Sequence, residues 1–209
     1  MLTVKLLDSF PVINNRINTA IAEELNKRIK RKSARARNMF RGSVPGWVKE
    51  QPEIQSLLAK GVPNSLNAQF GLTAGNSAEA VEAIASAVAS SIFVKFTKVS
   101  NRLTGGIEFN FQPADFANLL GLPQGHQVTN KAADLHWLDW LLTKGDTVIV
   151  KGYSYEPSGK GRSGGGSMKT GGFFRIDPSY SGTTINNFIT RAFVGRETQL
   201  AKILSSFLR

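Results

Sequence analysis

Apolar residues recur every four positions at Ile13, Ile17, Ile21, Leu25 and Ile29. On a helix of 3.6 residues per turn, that spacing lays a stripe which winds slowly round one face. Asn14 and Asn15 sit at its start as capping residues, and the pattern predicts a helix from about Asn15 to about Phe40, the body of a basic helix or arm over 13–41. A helix of about 26 residues is about 39 Å long, more than a small domain needs. Part of it is therefore expected to stand clear of the core or to meet a neighbouring subunit. Gly42-Ser-Val-Pro-Gly46 reads as the break that ends it.

Further along, Pro52 to Leu58 predicts a short helix, and 63–75 has the look of a linker. Asn76 followed by Glu79 makes a capping pair, with Val81, Ile84, Ala85, Val88 and Ile92 at helical spacing behind it. Near Ser91 the period changes to two. Ile92, Val94 and Phe96, then Ile107, Phe109 and Phe111, predict an antiparallel hairpin that stops at Pro113. Lys131–Leu142 reads as an amphipathic helix with Leu135, Leu138, Leu141 and Leu142 inward. Strands at 146–154 and 172–177 are expected to flank a glycine-rich segment. Thr183 or Thr184 is read as the cap of a last helix with Ile185, Phe188, Ile189, Ala192 and Phe193 inward, and Leu200, Ile203, Leu204 and Phe207 continue the spacing past Gly195. The sum is a single α+β domain over 1–209: a twisted antiparallel sheet packed by helices, with a long basic N-terminal helix and a C-terminal helix.

Composition narrows the chemistry. The chain has no cysteine, which excludes disulfides, thiolate nucleophiles and cysteine-ligated metals. Its two histidines are His126, in an expected loop, and His136, beside Trp137 on an expected helix. A histidine-based zinc site would need more ligands at regular spacing, and no metal or cofactor is expected. No run of 18 apolar residues suggests a membrane span, and the N-terminus lacks a secretory pattern.

Charge is unevenly placed. Of a net +11, residues 1–50 carry +7, residues 51–150 carry −2 and residues 151–209 carry +6. Lys27, Arg28, Lys30, Arg31, Lys32, Arg35, Arg37 and Arg41 follow one another with no acid between Leu25 and Lys49. Bases near a helix C-terminus suit its dipole, but eight exceed that need. Such a helix fits DNA phosphate or an acidic protein surface; a solvated face that aids solubility is the plain alternative. It lacks the aromatic and apolar half of a membrane-surface helix, which ranks a membrane partner last.

Gly159-Lys-Gly-Arg-Ser-Gly164 matches a dinucleotide-binding pattern, yet no helix follows to receive a pyrophosphate, and no Ser or Thr completes a P-loop. The stretch reads better as the tip of a glycine-rich mobile hairpin loop over 155–172, with Lys160, Arg162 and Lys169 on it; an idle surface loop is the bland reading. Asp134 and Asp139, five apart on one expected helix, face different ways, and no Ser-His-Asp arrangement has motif support. The chain is not expected to be an enzyme.

Several short pieces form a series. These are Trp137-Leu-Asp-Trp-Leu-Leu142 before a Val/Ile strand, Ser163-Gly-Gly-Gly-Ser-Met168 before Phe173, and Pro178 followed by Gly182-Thr183 and Asn187-Phe-Ile-Thr-Arg-Ala192. Shorter pieces at Pro52-Glu53 and Phe70-Gly71-Leu72 precede them. Over about residues 50–195 the series resembles the tailed-bacteriophage neck proteins, the tail-completion or head–tail connector family. The resemblance implies a small α+β structural subunit of the virion, assembled in the host cytoplasm into a hexamer or dodecamer ring. It further implies portal, connector and tail proteins as neighbours, with non-specific contact to packaged DNA. The long basic helix and the unusually high glycine content of the tip depart from that pattern. Candidate partner- or DNA-facing residues are Lys27, Arg28, Arg31, Lys32, Arg35, Lys160, Arg162 and Lys169. A nucleic-acid-binding module using the basic helix is the alternative function, although Phe40 and Trp47 are the only aromatics interleaved with its bases.

Overall fold

A computed structural model describes residues 7–128 and 134–208. The fold is mixed α+β and dominated by helix, with a long N-terminal helix, a C-terminal helix and small antiparallel ribbons. The first helix, α1 (Phe10–Lys49), has 40 residues and is about 60 Å long. It starts five residues before the expected Asn15, behind Ser9, and no side chain caps it.

The expected break at Gly42–Gly46 does not occur: Pro45 lies inside α1. Proline in a helix interior costs about 3 kcal/mol through a lost hydrogen bond and a steric clash. Here Val44, Trp47 and Val48 around it are all buried. Burying a large apolar side chain contributes about 1.5–3 kcal/mol, so three of them outweigh the proline.

Helices α2 (Pro52–Leu58), α3 (Leu66–Gln69) and α4 (Ala74–Ser91) follow. α4 is capped by Thr73, whose side chain accepts from the Asn76 N–H, so the cap falls three residues before the expected Asn76. It is the centre of the main core. Ala80, Val81, Ile84 and Val88 on α4 join Phe40, Val44 and Val48 of α1, Ile54 and Leu57 of α2, and Leu66 of α3 in one buried cluster. Arg41 ties the two long helices directly: its Nη2 donates to the carbonyls of Ser90 (3.0 Å) and Ile92 (3.3 Å) at the end of α4.

β1 (Phe93–Thr97) and β2 (Gly106–Asn110) form the expected hairpin, with Lys95 opposite Glu108. The ribbon lies along α1 over a small second cluster of Ala22, Ile29, Ala36 and Val99. Asn26 holds it there twice: Nδ2 donates to the Val99 carbonyl (3.0 Å) and Oδ1 accepts from the Val99 N–H (2.8 Å).

A short helix α5 (Ala117–Leu120) leads to β3 (Gln127–Val128), which pairs with β4 (Asp134–Leu135) ahead of α6 (Trp137–Leu142). The helix expected from Lys131 thus begins at Trp137; residues 131–133 lie outside the described residues. Leu138, Leu141 and Leu142 are buried as expected, and Trp137 with them. β5 (Val150–Glu156) and β6 (Ser167–Phe174) form the last ribbon, with a register shift between Lys151 and Tyr153. Among the described residues, strand pairing is therefore shared out over three two-stranded ribbons set around a helical core.

The final helix expected from Thr183 is two helices. α7 (Phe188–Arg191) has a capping box from Asn187 and Thr190, and α8 (Glu197–Leu208) packs against α1. Ile185, expected inward, is 87% exposed because it precedes the helix. The side chain of Phe207 lies outside the described residues.

Candidate interaction surface

One turn of helix after another, α1 presents a single outward face. Phe10, Ile13, Ile17, Ile21 and Leu25, then Arg28, Arg31 and Arg35, follow at steps of three and four and share that side with Lys32, which lies four residues after Arg28. The core lies on another side, through Ala22, Ile29, Ala36 and Phe40. The stripe read from sequence therefore reaches buried surroundings only at Ile29. Phe10 is 71%, Ile17 51% and Ile21 43% exposed. The outer face is apolar over its first four turns and basic over the next two.

Of the candidate bases, Lys27, Arg28, Arg31 and Arg35 are exposed and Lys32 is half-buried. Arg28 pairs with Glu24 one turn earlier (2.8 Å), and this hydrogen bond, with the nearby charges of Lys27 and Arg31, holds the Glu24 carboxyl below its ordinary range. The structure does not gather all eight bases of the run on this face. Arg41 turns to the end of α4, and the Nε atoms of Arg37 and Arg41 are buried without a hydrogen-bond partner.

The glycine-rich segment departs from its expected form. Its second half is strand β6, and its tip is packed rather than standing free. The Tyr155 hydroxyl accepts from the Asn64 N–H (3.1 Å) and donates to the Gly165 carbonyl (2.8 Å). Arg162 Nε donates to the Gly71 carbonyl (2.5 Å), and Ser163, Gly165 and Gly166 are buried. A Cβ at Gly165 would lie 2.7 Å from the Ala68 methyl and from the Val62 carbonyl oxygen. Glycine here permits close seating on the 62–71 segment, where sequence reasoning took it as a source of motion. The bases are split by this seating: Arg162 is engaged with backbone, Lys169 on β6 approaches Glu156 (3.9 Å), and Lys160 is exposed. Beneath the tip is an apolar cavity of about 550 Å³ lined by Phe70, Leu135, Tyr153, Tyr155 and Phe174.

No family model, no curated protein and no solved structure matches this chain. What can be said of its chemistry rests on its own residues. The pieces that carry the phage-neck resemblance have structural work to do. Asn187 is fully buried, with Oδ1 accepting from the N–H groups of Ile189 and Thr190, and Nδ2 donating to the carbonyls of Leu142 (3.2 Å) and Thr183 (2.9 Å). It thus joins the end of α6 to the start of α7.

One grouping escaped the sequence reading. His126 Nδ1 and His136 Nε2 each lie 3.2 Å from Asp134 Oδ2. Reading 131–142 as one helix placed His136 and Asp134 two residues apart on a helix, and so on different sides. In the structure Asp134 is on β4 and His136 is the N-cap of α6, and the turn between strand and helix brings both to one side. That two-residue spacing was the available signal.

Proposed function

We propose that the chain is a structural subunit of the tailed-phage neck, forming a ring that completes the tail or joins the head portal complex to the tail. The resemblance of residues 50–195 supports the setting, and the outer face of α1 supports the mode of contact. An exposed apolar stripe continued by a basic one suits a neighbour that is apolar and acidic in the same order. A second copy of α1 laid in register would set base against base, so the fitting neighbour is a different surface, of another protein or of another part of the next subunit. A ring made by such unlike faces closes by rotation. Among the described residues no helix is long and apolar enough to cross a membrane.

The alternative, a nucleic-acid-binding module, draws on the same bases. Phosphate contact, however, makes no use of Phe10, Ile17 and Ile21. Mass measurement of isolated virion necks discriminates: six or twelve copies per particle are expected, and a single copy sinks the ring. Binding of the free subunit to duplex DNA that is tight at low salt and falls steeply with added salt would instead favour the alternative.

A further inference from the structure

The two histidines of the chain, far from each other's expected elements, meet across its smallest ribbon. Gln127 is paired with Leu135 and Val128 with Asp134. One step further along the same register sets His126 opposite His136, and their rings are 3.7 Å apart between centroids. The two histidines flank the strands, and their rings converge on the Asp134 carboxylate, while Leu135 lines the apolar cavity. One donor atom from each of the three residues falls in a group no more than 4.8 Å across.

We propose that His126, Asp134 and His136 bind a divalent transition-metal ion, with Zn²⁺ as the best-fitting species. Tetrahedral zinc holds nitrogen and oxygen donors at about 2.0–2.1 Å, which spaces the donors about 3.3 Å from one another. Two of the three donor separations already have this length at 3.2 Å. The third lies within 4.8 Å and has to close, and the two imidazole rings, now with centroids 3.7 Å apart, have to swing so that both nitrogens face one ion; both are partly exposed. Two imidazoles and one carboxylate suit zinc and its neighbours; calcium and magnesium require more oxygen donors than this face offers. All three ligands open to solvent, so the ion enters directly and the fourth position remains for water or for a donor from an adjoining molecule.

The location gives the ion a mechanical role. His126 follows the turn Pro123–Gly125, and His136 is the residue immediately before α6. A metal bond between them fastens the 121–128 segment to the helix that carries Trp137. The site is independent of the neck assignment and stands or falls separately from it.

The test uses the full chain, purified without a histidine tag and stripped with chelator. Zn²⁺ titration followed by calorimetry should give one ion per chain with micromolar or tighter affinity, and Co²⁺ should give the visible absorption of a four-coordinate site. A hundredfold excess of free Zn²⁺ over its dissociation constant should raise the unfolding midpoint by about 5–10 °C. Asp134→Asn, which keeps size and shape, and His136→Ala should each weaken binding at least tenfold. If a histidine variant misfolds, Asp134→Asn alone decides. Unchanged affinity in Asp134→Asn, or wild-type binding weaker than about 0.1 mM (far short of structural zinc sites), overturns the proposal.

Discussion

In the main core the buried side chains are large: Phe40, Trp137, Phe188, Ile84 and Leu141 among them. Between α1 and the β1–β2 ribbon they are Ala22, Ile29, Ala36 and Val99. Alanines let a ribbon approach a helix closely, but they remove little apolar area from water, and hydrophobic stabilisation follows area. The ribbon accordingly relies on polar ties as well, the paired bonds of Asn26 with Val99 and the bond from Asn101 Nδ2 to Asn15 Oδ1 (2.8 Å). One helix thus has two halves with different obligations. Its C-terminal part is fixed by the main core. Its N-terminal part is held on one side by a thin cluster, and its outer side is exposed.

The largest effect should come from the main core. Phe40, buried and edge-on to Phe109 (4.9 Å) and Phe111 (5.1 Å), joins that core to the ribbon. Phe40→Ala should cost about 3–5 kcal/mol in urea unfolding. A cost below about 1 kcal/mol would mean that the two clusters are not energetically distinct.

Second comes the charge that the large cluster contains and the small one lacks. Glu53 is almost fully buried and paired with Arg191, which is partly exposed. Glu53→Ala should cost about 2–4 kcal/mol, since it removes the carboxylate facing the guanidinium and leaves it with its hydrogen bond to Asn186 Oδ1 (2.8 Å). Burial is the main influence on the Glu53 carboxyl and pushes its pKa above the ordinary value, against the pull of Arg191. The folded state then holds the proton more tightly than the unfolded one. This contribution is full below the ordinary carboxylate pKa and is lost as pH rises through the raised folded value. Glu53→Gln should flatten that part of the stability–pH curve relative to wild type. An identical slope in both proteins would remove Glu53 from the account.

Third, Asn26→Ala should cost about 1–2 kcal/mol, the loss of two part-buried hydrogen bonds. It should speed amide exchange in β1 and β2 while leaving α4 protected. Equal acceleration in α4 would show that ribbon and core open as one unit.

The smallest effect on folding should come from the outer face. Ile17→Ser with Ile21→Ser, or Arg28, Arg31, Lys32 and Arg35 all changed to Gln, should alter stability by less than about 0.5 kcal/mol. If the proposed neck role holds, each set should nevertheless weaken docking to the neighbouring protein, the charge set more strongly as salt is lowered. Normal assembly by both sets would return this face to the role of a solvated surface.

Much of the helical core was legible from periodicity. α2 and α4 lie close to where spacing placed them, because each has a face that is buried along its own length, and the β1–β2 hairpin follows its period of two although its strands are only partly covered. The misreadings share a cause, namely partners distant in sequence. Pro45 and the glycines beside it signal a break, and only the burial of Val44, Trp47 and Val48 by other elements overrides them. Glycines at 164–166 signal motion until Tyr155 and the 62–71 segment close on them. Asp134 and His136 look unrelated to His126 until strand register brings them opposite. The basic outer face was readable residue by residue, but the turn of Arg41 toward the end of α4 was not, since nothing local to Arg41 encodes the carbonyls of Ser90 and Ile92.

Gly182 bears on how relatives of this chain can be found. Its N–H donates to the Trp140 carbonyl (3.0 Å) and its carbonyl accepts from the Gly145 N–H (2.8 Å). A Cβ at this position would run into the Leu141 carbonyl oxygen and lie 2.8 Å from the Asn187 Cβ. No other amino acid can occupy the position while α6 and α7 keep this junction, and the buried amide of Asn187 is required five residues on. Gly-x-x-x-x-Asn at this junction is therefore a filter set by sterics and hydrogen bonding, independent of overall identity. It can sort sequences that have diverged beyond alignment, and a chain with this junction but alanine in place of the glycine would disprove it.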